Sequence, residues 1–160
     1  MIKKILASLV VIAISSASFA VNAESVIGTW ANWSDDNKII DSHIEIFKEG
    51  KEFKGKIIWL RETVFPVGHE KAGQEKVDCK NPNEKLRGRK VLGLEMLTKF
   101  KYNKNDKRWV DGKVYNATDG KTYHGNMWLL EDGNLKLKGS IDAWGLIGKE
   151  KTWTPIKAEK

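Results

Sequence analysis

One cysteine, three histidines and three prolines in 160 residues set the first limits. Cys79 has no second cysteine to pair with, so the chain forms no internal disulfide and offers no thiolate metal cluster; its stability has to come from packing. His43, His69 and His124 are scattered, with neither HxH nor HExxH spacing, and give no zinc signature. A G-x-S-x-G elbow, a glycine-rich phosphate loop and a mechanistic cysteine–histidine spacing are also missing. The sequence therefore points to no catalytic residue, no metal and no cofactor. An enzyme would need carboxylates such as Glu45, Asp78, Asp111 and Asp119 paired through tertiary contacts, as glycosidases pair theirs.

Long apolar runs are lacking as well, with one exception. Residues 1–23 carry Lys3 and Lys4, an apolar stretch from Ile5 to Ile14, and small residues ending in Val21-Asn22-Ala23. This is the pattern of a secretory signal peptide, with cleavage expected after Ala23 and Ala20 as the second position. A stretch of ten residues is too short to cross a bilayer, which takes about 20, so no transmembrane span is expected. The expected location is periplasmic or secreted. Removing 23 of 160 residues leaves 137, residues 24–160, the size of a single domain. Without its two lysines the net charge of +7 becomes +5, too modest to name a partner, and export argues against nucleic acid. Apolar residues make up 41% of the chain, enough for a core, which excludes disorder.

What the chain does have is alternation with a period of two. Asn134 to Ile141 places Leu135, Leu137, Gly139 and Ile141 on one side. Leu94 to Tyr102 places Leu94, Met96, Thr98, Phe100 and Tyr102 opposite Glu95, Leu97, Lys99 and Lys101. Both read as half-buried strands. Similar runs fall at about 28–34, 42–48, 52–60, 108–116, 121–130 and 147–154. Short turns at Glu49-Gly50, Asn103 to Lys107, Asp119-Gly120 and Asp132-Gly133 make neighbours antiparallel. The expected fold is all-β, an eight-stranded antiparallel up-and-down barrel, because closure removes the two edges an open sheet would expose. A sandwich is the alternative. One long loop, about 61–92, carries Pro66, Gly68, Gly73, Pro82 and Gly88 and little periodicity, a place for a lid or a cover over one barrel end.

Seven tryptophans stand out. Trp59 shares parity with Phe53, Gly55 and Ile57, which makes it a core residue. Trp109 shares parity with Asp111, Lys113 and Tyr115, and Trp128 lies opposite Tyr123, Met127 and Leu129; both are expected on an outer surface or rim.

Gly28-Thr29-Trp30 looks like the first-strand signature of the lipocalins and their relatives. In that superfamily the tryptophan packs under the closed barrel end against a basic residue of the last strand, a barrel-closing pair that would here be Trp30 and Lys149. A longer succession follows: Asp78-Cys79-Lys80-Asn81-Pro82, Leu86-Arg87-Gly88-Arg89, Gly112-Lys113-Val114-Tyr115, Asp119-Gly120-Lys121-Thr122-Tyr123 and Thr152-Trp153-Thr154. It resembles a bacterial family of small exported proteins known as domain of unknown function 2147, over essentially the whole mature chain. The resemblance implies a lipocalin-like barrel and an exported location, and no established reaction. Two departures from its pattern are Asn116-Ala117 after the tyrosine and Pro155 after Trp153-Thr154; the second leaves Lys149 as the closing cation.

The motif residues concentrate in the long loop. Asp78 can pair with Arg87 or Arg89, and Asn81 can cap a helical turn at Asn83 to Leu86. Alternatively, Arg87 and Arg89 form a bidentate anchor for an anionic group at a barrel mouth. Three functions compete. The first is a binding module holding a small apolar or amphipathic ligand in the barrel, with Trp59, Asp78, Asn81, Arg87, Arg89, Phe100, Tyr115, Tyr123 and Met127 as candidate ligand residues, and Phe53, Ile57, Met96 and Leu137 also inward by parity. The second is a cell-envelope interaction protein holding glycan, anionic lipid or a protein partner through exposed aromatic and basic residues. The third is an enzyme, which no motif supports.

Overall fold

Alternation broken at short turns gives eight antiparallel strands, each hydrogen-bonded to its neighbour in sequence. The computed structural model describes residues 20–157, so residues 1–19 of the expected signal segment lie outside the described residues. The strands are β1 (Gly28–Trp33), β2 (Ile40–Glu49), β3 (Glu52–Leu60), β4 (Glu95–Asn103), β5 (Arg108–Asn116), β6 (Lys121–Leu129), β7 (Leu135–Ser140) and β8 (Gly148–Ile156). β8 pairs back onto β1 through Thr29↔Ile156, Trp30↔Pro155 and Ala31↔Thr154. The sheet is therefore a closed up-and-down barrel without an edge strand, not a sandwich.

Because successive strands reverse direction, their connections alternate between two ends. The closed end carries the short turns 50–51, 104–107 and 130–134. The loop end carries 34–39, 117–120, 141–147 and the long connection 61–94, whose only regular features are the bridges Val64↔Glu75 and Val77↔Lys90 and a 3-10 turn at Glu84–Leu86.

The chain seals the closed end with residues that precede β1. A 3-10 helix at Ala23–Val26 is capped by Asn22, whose side chain accepts the Glu24 amide while the Ser25 hydroxyl accepts the Asn22 amide. Val26 is fully buried, and its carbonyl accepts the Trp30 indole N–H at 2.9 Å. The buried indole of Trp109 donates to the Ala23 carbonyl at 3.1 Å, and the Tyr102 hydroxyl to the Val21 carbonyl at 3.1 Å. Large aromatics buried at a barrel end need acceptors for their polar tips, and this segment supplies them. The expected Trp30–Lys149 pair does not form. Trp30 lies opposite Pro155, whereas Lys149 pairs with Gly139 at the far end of β8, six residues or about 20 Å away.

The interior is packed solid through its closed and middle levels by Trp30, Ile44, Ile46, Phe53, Leu97, Phe100, Trp109, Met127, Leu135 and Trp153. Three bulges decide which side chains join them. In β3, Ile57 pairs with Ile44 but Trp59 with His43, so one extra residue reverses the alternation. Trp59 consequently lies outside, 40% exposed and stacked on His43 at 4.4 Å, contrary to its parity with Ile57. In β4, Lys99 adopts φ 64°, which brings Leu97 and Phe100 to one face; Leu97 is buried, while Met96 and Thr98 belong to the other face. In β5, Asp111 at φ 59° does the same, and Trp109, expected on the surface, is completely buried beside Gly112 and Val114. Trp128 does face outward, under the Arg108 guanidinium at 4.5 Å.

Candidate functional site

Val114 pairs with Leu97 in the core, so its neighbour Tyr115 points to the opposite face, onto the outside of the barrel wall. The long loop descends on it there. Asp78, wholly buried, accepts the Tyr115 hydroxyl on Oδ1 at 2.6 Å. Its Oδ2 accepts Asn81 Nδ2 at 2.9 Å, Arg89 Nε at 3.1 Å and Arg89 Nη2 at 3.0 Å. Asn81 in turn accepts the Asn83 amide on its side-chain oxygen and the Arg87 Nε on its carbonyl, at 2.9 and 2.7 Å. The Arg89 guanidinium also lies over the Tyr115 ring. Burial, and then the hydrogen bond to Asp78, push the Tyr115 pKa up to about 12. At Gly120, φ 74°, a Cβ would overlap the Lys80 carbonyl, so the turn 117–120 and the segment 78–82 meet backbone to backbone.

Among the described residues no buried side-chain donor or acceptor is left without a partner. Every buried polar group of this network is in use, and the network is a latch that fastens the long loop to the barrel. Of the two expectations for Arg87 and Arg89, the pairing seen is the internal one: Arg89 binds Asp78, while Arg87 binds the Asn81 carbonyl and Glu84. The cap of the short helical turn is Asn83, which accepts the Lys85 amide, and not Asn81, whose oxygen is taken one residue earlier.

The nine predicted ligand residues do not converge. Asp78, Asn81, Arg87, Arg89 and Tyr115 form the latch; Phe100 and Met127 fill the core; Trp59 lies outside on His43. Tyr123 points inward near the loop end, and its hydroxyl donates to Asp119 at 2.6 Å. Two surface concavities use none of them. One, of about 460 Å³, lies under the 34–37 turn beside β8, lined by Trp33, Asp35, Asn37, Glu150, Lys151 and Thr154 among others. Its wall is fixed by the Trp33 indole donating to Thr154 at 3.0 Å and by Lys151 bridging the Trp33 carbonyl and Asp35. The hydrogen bond and charge of Lys151 hold the Asp35 carboxyl below its ordinary range. The other, of about 300 Å³, is bounded by Asp41, Ser42, Leu60, Arg61, Glu62 and Lys76. The second sits at the loop end, whereas the first runs from the 34–37 turn down the barrel wall along β7 and β8 as far as Lys136 and Thr154. No cluster of three or more metal-ligating side chains occurs among the described residues.

The loop end also carries what sequence reasoning missed most plainly. Of the twelve large apolar side chains exposed among the described residues, all but Ile27 belong to loop-end connections or to the last turn of β3 leading into them. The densest group is Ile141, Trp144, Leu146 and Ile147 in the β7–β8 connection, between 64% and 86% exposed. An apolar run at a hairpin tip, where turns are ordinarily polar, was the available signal.

A family model described as "Uncharacterized protein conserved in bacteria (DUF2147)" matches residues 28–155. Among solved structures, the chain is similar to protein HP1028 from the human pathogen Helicobacter pylori, described as belonging to the lipocalin family. The two are 29% identical, the match covers 82% of each chain, and the TM-score is 0.65. No curated protein matches the chain.

Proposed function

This chain belongs to the bacterial family DUF2147, and we propose that it is an exported, non-catalytic binding protein of the cell envelope that works through its loop end. The observation that carries this reading is the polarity of the molecule. The interior is occupied by the protein's own side chains, while nearly all exposed large apolar side chains gather at one end. Exposed apolar side chains grouped as closely as Ile141, Trp144, Leu146 and Ile147 are the kind of surface that serves interaction. The test is binding to envelope fractions at low and high salt, set beside displacement of a fluorescent fatty acid. Retention on the envelope at high salt with no saturable uptake of the probe is the expected result. Saturable uptake at one molecule per barrel would favour the second reading, a carrier of a small apolar or amphipathic ligand. That reading draws its support from the lipocalin description of HP1028 and from the loop-end concavity bounded by Asp41, Leu60, Arg61 and Lys76.

Export is part of the proposal, and the closed end bears on where the leader is cut. Removal of residues through Ala23 would strip the acceptors from Trp109 and Tyr102 and the cap from the 3-10 helix. Cleavage after Ala20 keeps all three. The mature protein is therefore expected to begin at Val21, which N-terminal sequencing or intact mass of the exported protein reads directly; a start at Glu24 would refute it.

A further inference from the structure

We propose that the β7–β8 connection, residues 141–147, is a bilayer-insertion tip, with Trp144, Leu146 and Ile147 entering the interface of an anionic phospholipid membrane and Lys138 and Lys149 meeting its headgroups. The inference rests on the envelope reading above and names the partner for it.

The tip is convex. Its side chains stand away from the barrel, with Trp144 86% and Leu146 82% exposed, so they offer no groove to a peptide or a small molecule. A fluid, deformable apolar layer accepts such a shape without complementary packing. Tryptophan is at home at the membrane–water boundary, where its ring is apolar and its N–H is wet.

The backbone of the tip is prepared for low dielectric. Segments that enter lipid must satisfy their polar groups internally. The Asp142 carboxylate accepts the amides of Leu146 and Ile147 at 2.8 and 2.7 Å. The Gly145 amide donates to the Asp142 carbonyl at 3.2 Å, and Ile141 to the Ile147 carbonyl at 2.9 Å. The Ser140 hydroxyl, on a residue only 1% exposed, also donates to the Asp142 carbonyl, at 2.9 Å. Four of the seven amides are thus bound within the tip, and Gly145, φ 75°, supplies the left-handed turn that lets three of them converge on one aspartate. These bonds, first those from Leu146 and Ile147, hold the Asp142 carboxyl below its ordinary range, so the frame persists at neutral and mildly acidic pH.

Charge complements the apolar tip at its base. Lys138 and Lys149 stand on the two strands that carry it, one residue out of register across the pair Gly139↔Lys149. The Lys138 stem runs toward Gly145, where a Cβ would meet its Cε at 3.9 Å. Neither lysine has an ion-pair partner among the described residues, in contrast to Lys136 with Glu150 and Lys151 with Asp35. Apolar insertion backed by unpaired lysines is the combination that holds peripheral proteins to anionic bilayers.

The experiment is sedimentation of the full mature protein with phosphatidylcholine vesicles, with or without phosphatidylglycerol, at low and high salt. Wild type should bind the anionic vesicles, keep part of that binding at high salt, and show Trp144 quenching by brominated lipid. The pair W144A and L146S together should lose binding at least tenfold without a change in melting temperature, since both side chains are exposed. K138E with K149E should remove the preference for anionic lipid while leaving quenching at saturating lipid. If wild type ignores all vesicles yet still binds envelope fractions, or if W144A/L146S binds vesicles as wild type does, the lipid assignment is overturned and the envelope reading stands. Self-association that W144A/L146S abolishes, with no lipid binding, overturns it in favour of a second copy of this chain. Failure of wild type to bind either vesicles or envelope fractions removes both readings.

Discussion

Replacing Asp78 with alanine is expected to cost about 3 kcal/mol, near the lower bound for breaking a buried ion pair from one side. Asp78 is wholly buried, and its two oxygens take donors from Tyr115, Asn81 and Arg89. Alanine leaves all of those groups with unmet donors in a space closed to water, and an orphaned buried polar group costs about 1–3 kcal/mol. Arg89 is 38% exposed and can turn to solvent, which keeps the loss from running higher. For a domain of this size the result is a melting temperature lower by roughly 10 °C. Proteolysis of D78A should start within 61–94, because the latch is what ties that loop to the barrel wall. A second measurement separates this network from general loosening. The Tyr115 pKa in the folded protein, about 12, lies above its unfolded value near 10. Its hydroxyl therefore stabilises the fold fully below pH ~10, and that contribution is lost as pH rises through 10 to 12. Wild type should lose stability across that window, whereas D78A should lose less, with one tyrosine ionising closer to 10 by ultraviolet absorbance. An unchanged high-pH tyrosine in D78A would remove Asp78 from the account of Tyr115.

The strands were legible because each obeys one local rule, alternation ended by a turn, and turns such as Asp132-Gly133 are written in adjacent residues. The faces of those strands were legible only until the first bulge. Lys99 does not announce a left-handed backbone, Asp111 belongs to a type that tolerates one but seldom adopts it inside a strand, and Ile58 looks like any strand isoleucine, so Leu97, Trp109 and Trp59 each lie on the side opposite to their parity. Gly112 and Gly125 did carry a warning, since glycine inside a strand marks close approach of another group. The latch was half legible for the same reason of distance. Asp78, Asn81 and Arg89 fall within twelve residues of one another, but the lid of the network, Tyr115, comes from another strand. The 460 Å³ concavity draws on β1, β7, β8 and a turn, and no local pattern could assemble it. Lys149 shows the converse error: a basic residue on the last strand was identified from type, and only the β1–β8 register reveals that it stands at the wrong end.

Those strand glycines also carry the other large expected effect, at Phe100. The ring is fully buried and lies across the inner faces of the adjoining strands β5 and β6, where Gly112 and Gly125 leave it room. A Cβ on Gly112 would fall well inside contact distance of the ring, and one on Gly125 would lie 2.5 Å from Phe100 Cζ and 2.8 Å from Val114 Cγ2. Gly112→Ala is expected to destabilise by about 3 kcal/mol, the upper part of the range for overpacking, because a ring held on all sides cannot yield. Phe100→Ala is expected to cost about 3–5 kcal/mol through lost burial and the cavity left behind. The decisive variant is Phe100→Leu with Gly112→Ala. A shorter side chain makes space for the new methyl, so the double variant should be more stable in urea than Gly112→Ala alone, with a coupling of about 1 kcal/mol or more between contacting sites. Simple additivity would mean that the ring is not what fills this level of the barrel. The same substitution reaches the question of function. Apolar cavities made by truncating a core residue stay dry and take up small apolar molecules. If the native interior is full, Phe100→Ala should bind benzene-sized probes that wild type does not, and uptake by wild type equal to that of Phe100→Ala would return the barrel interior to consideration as the ligand site.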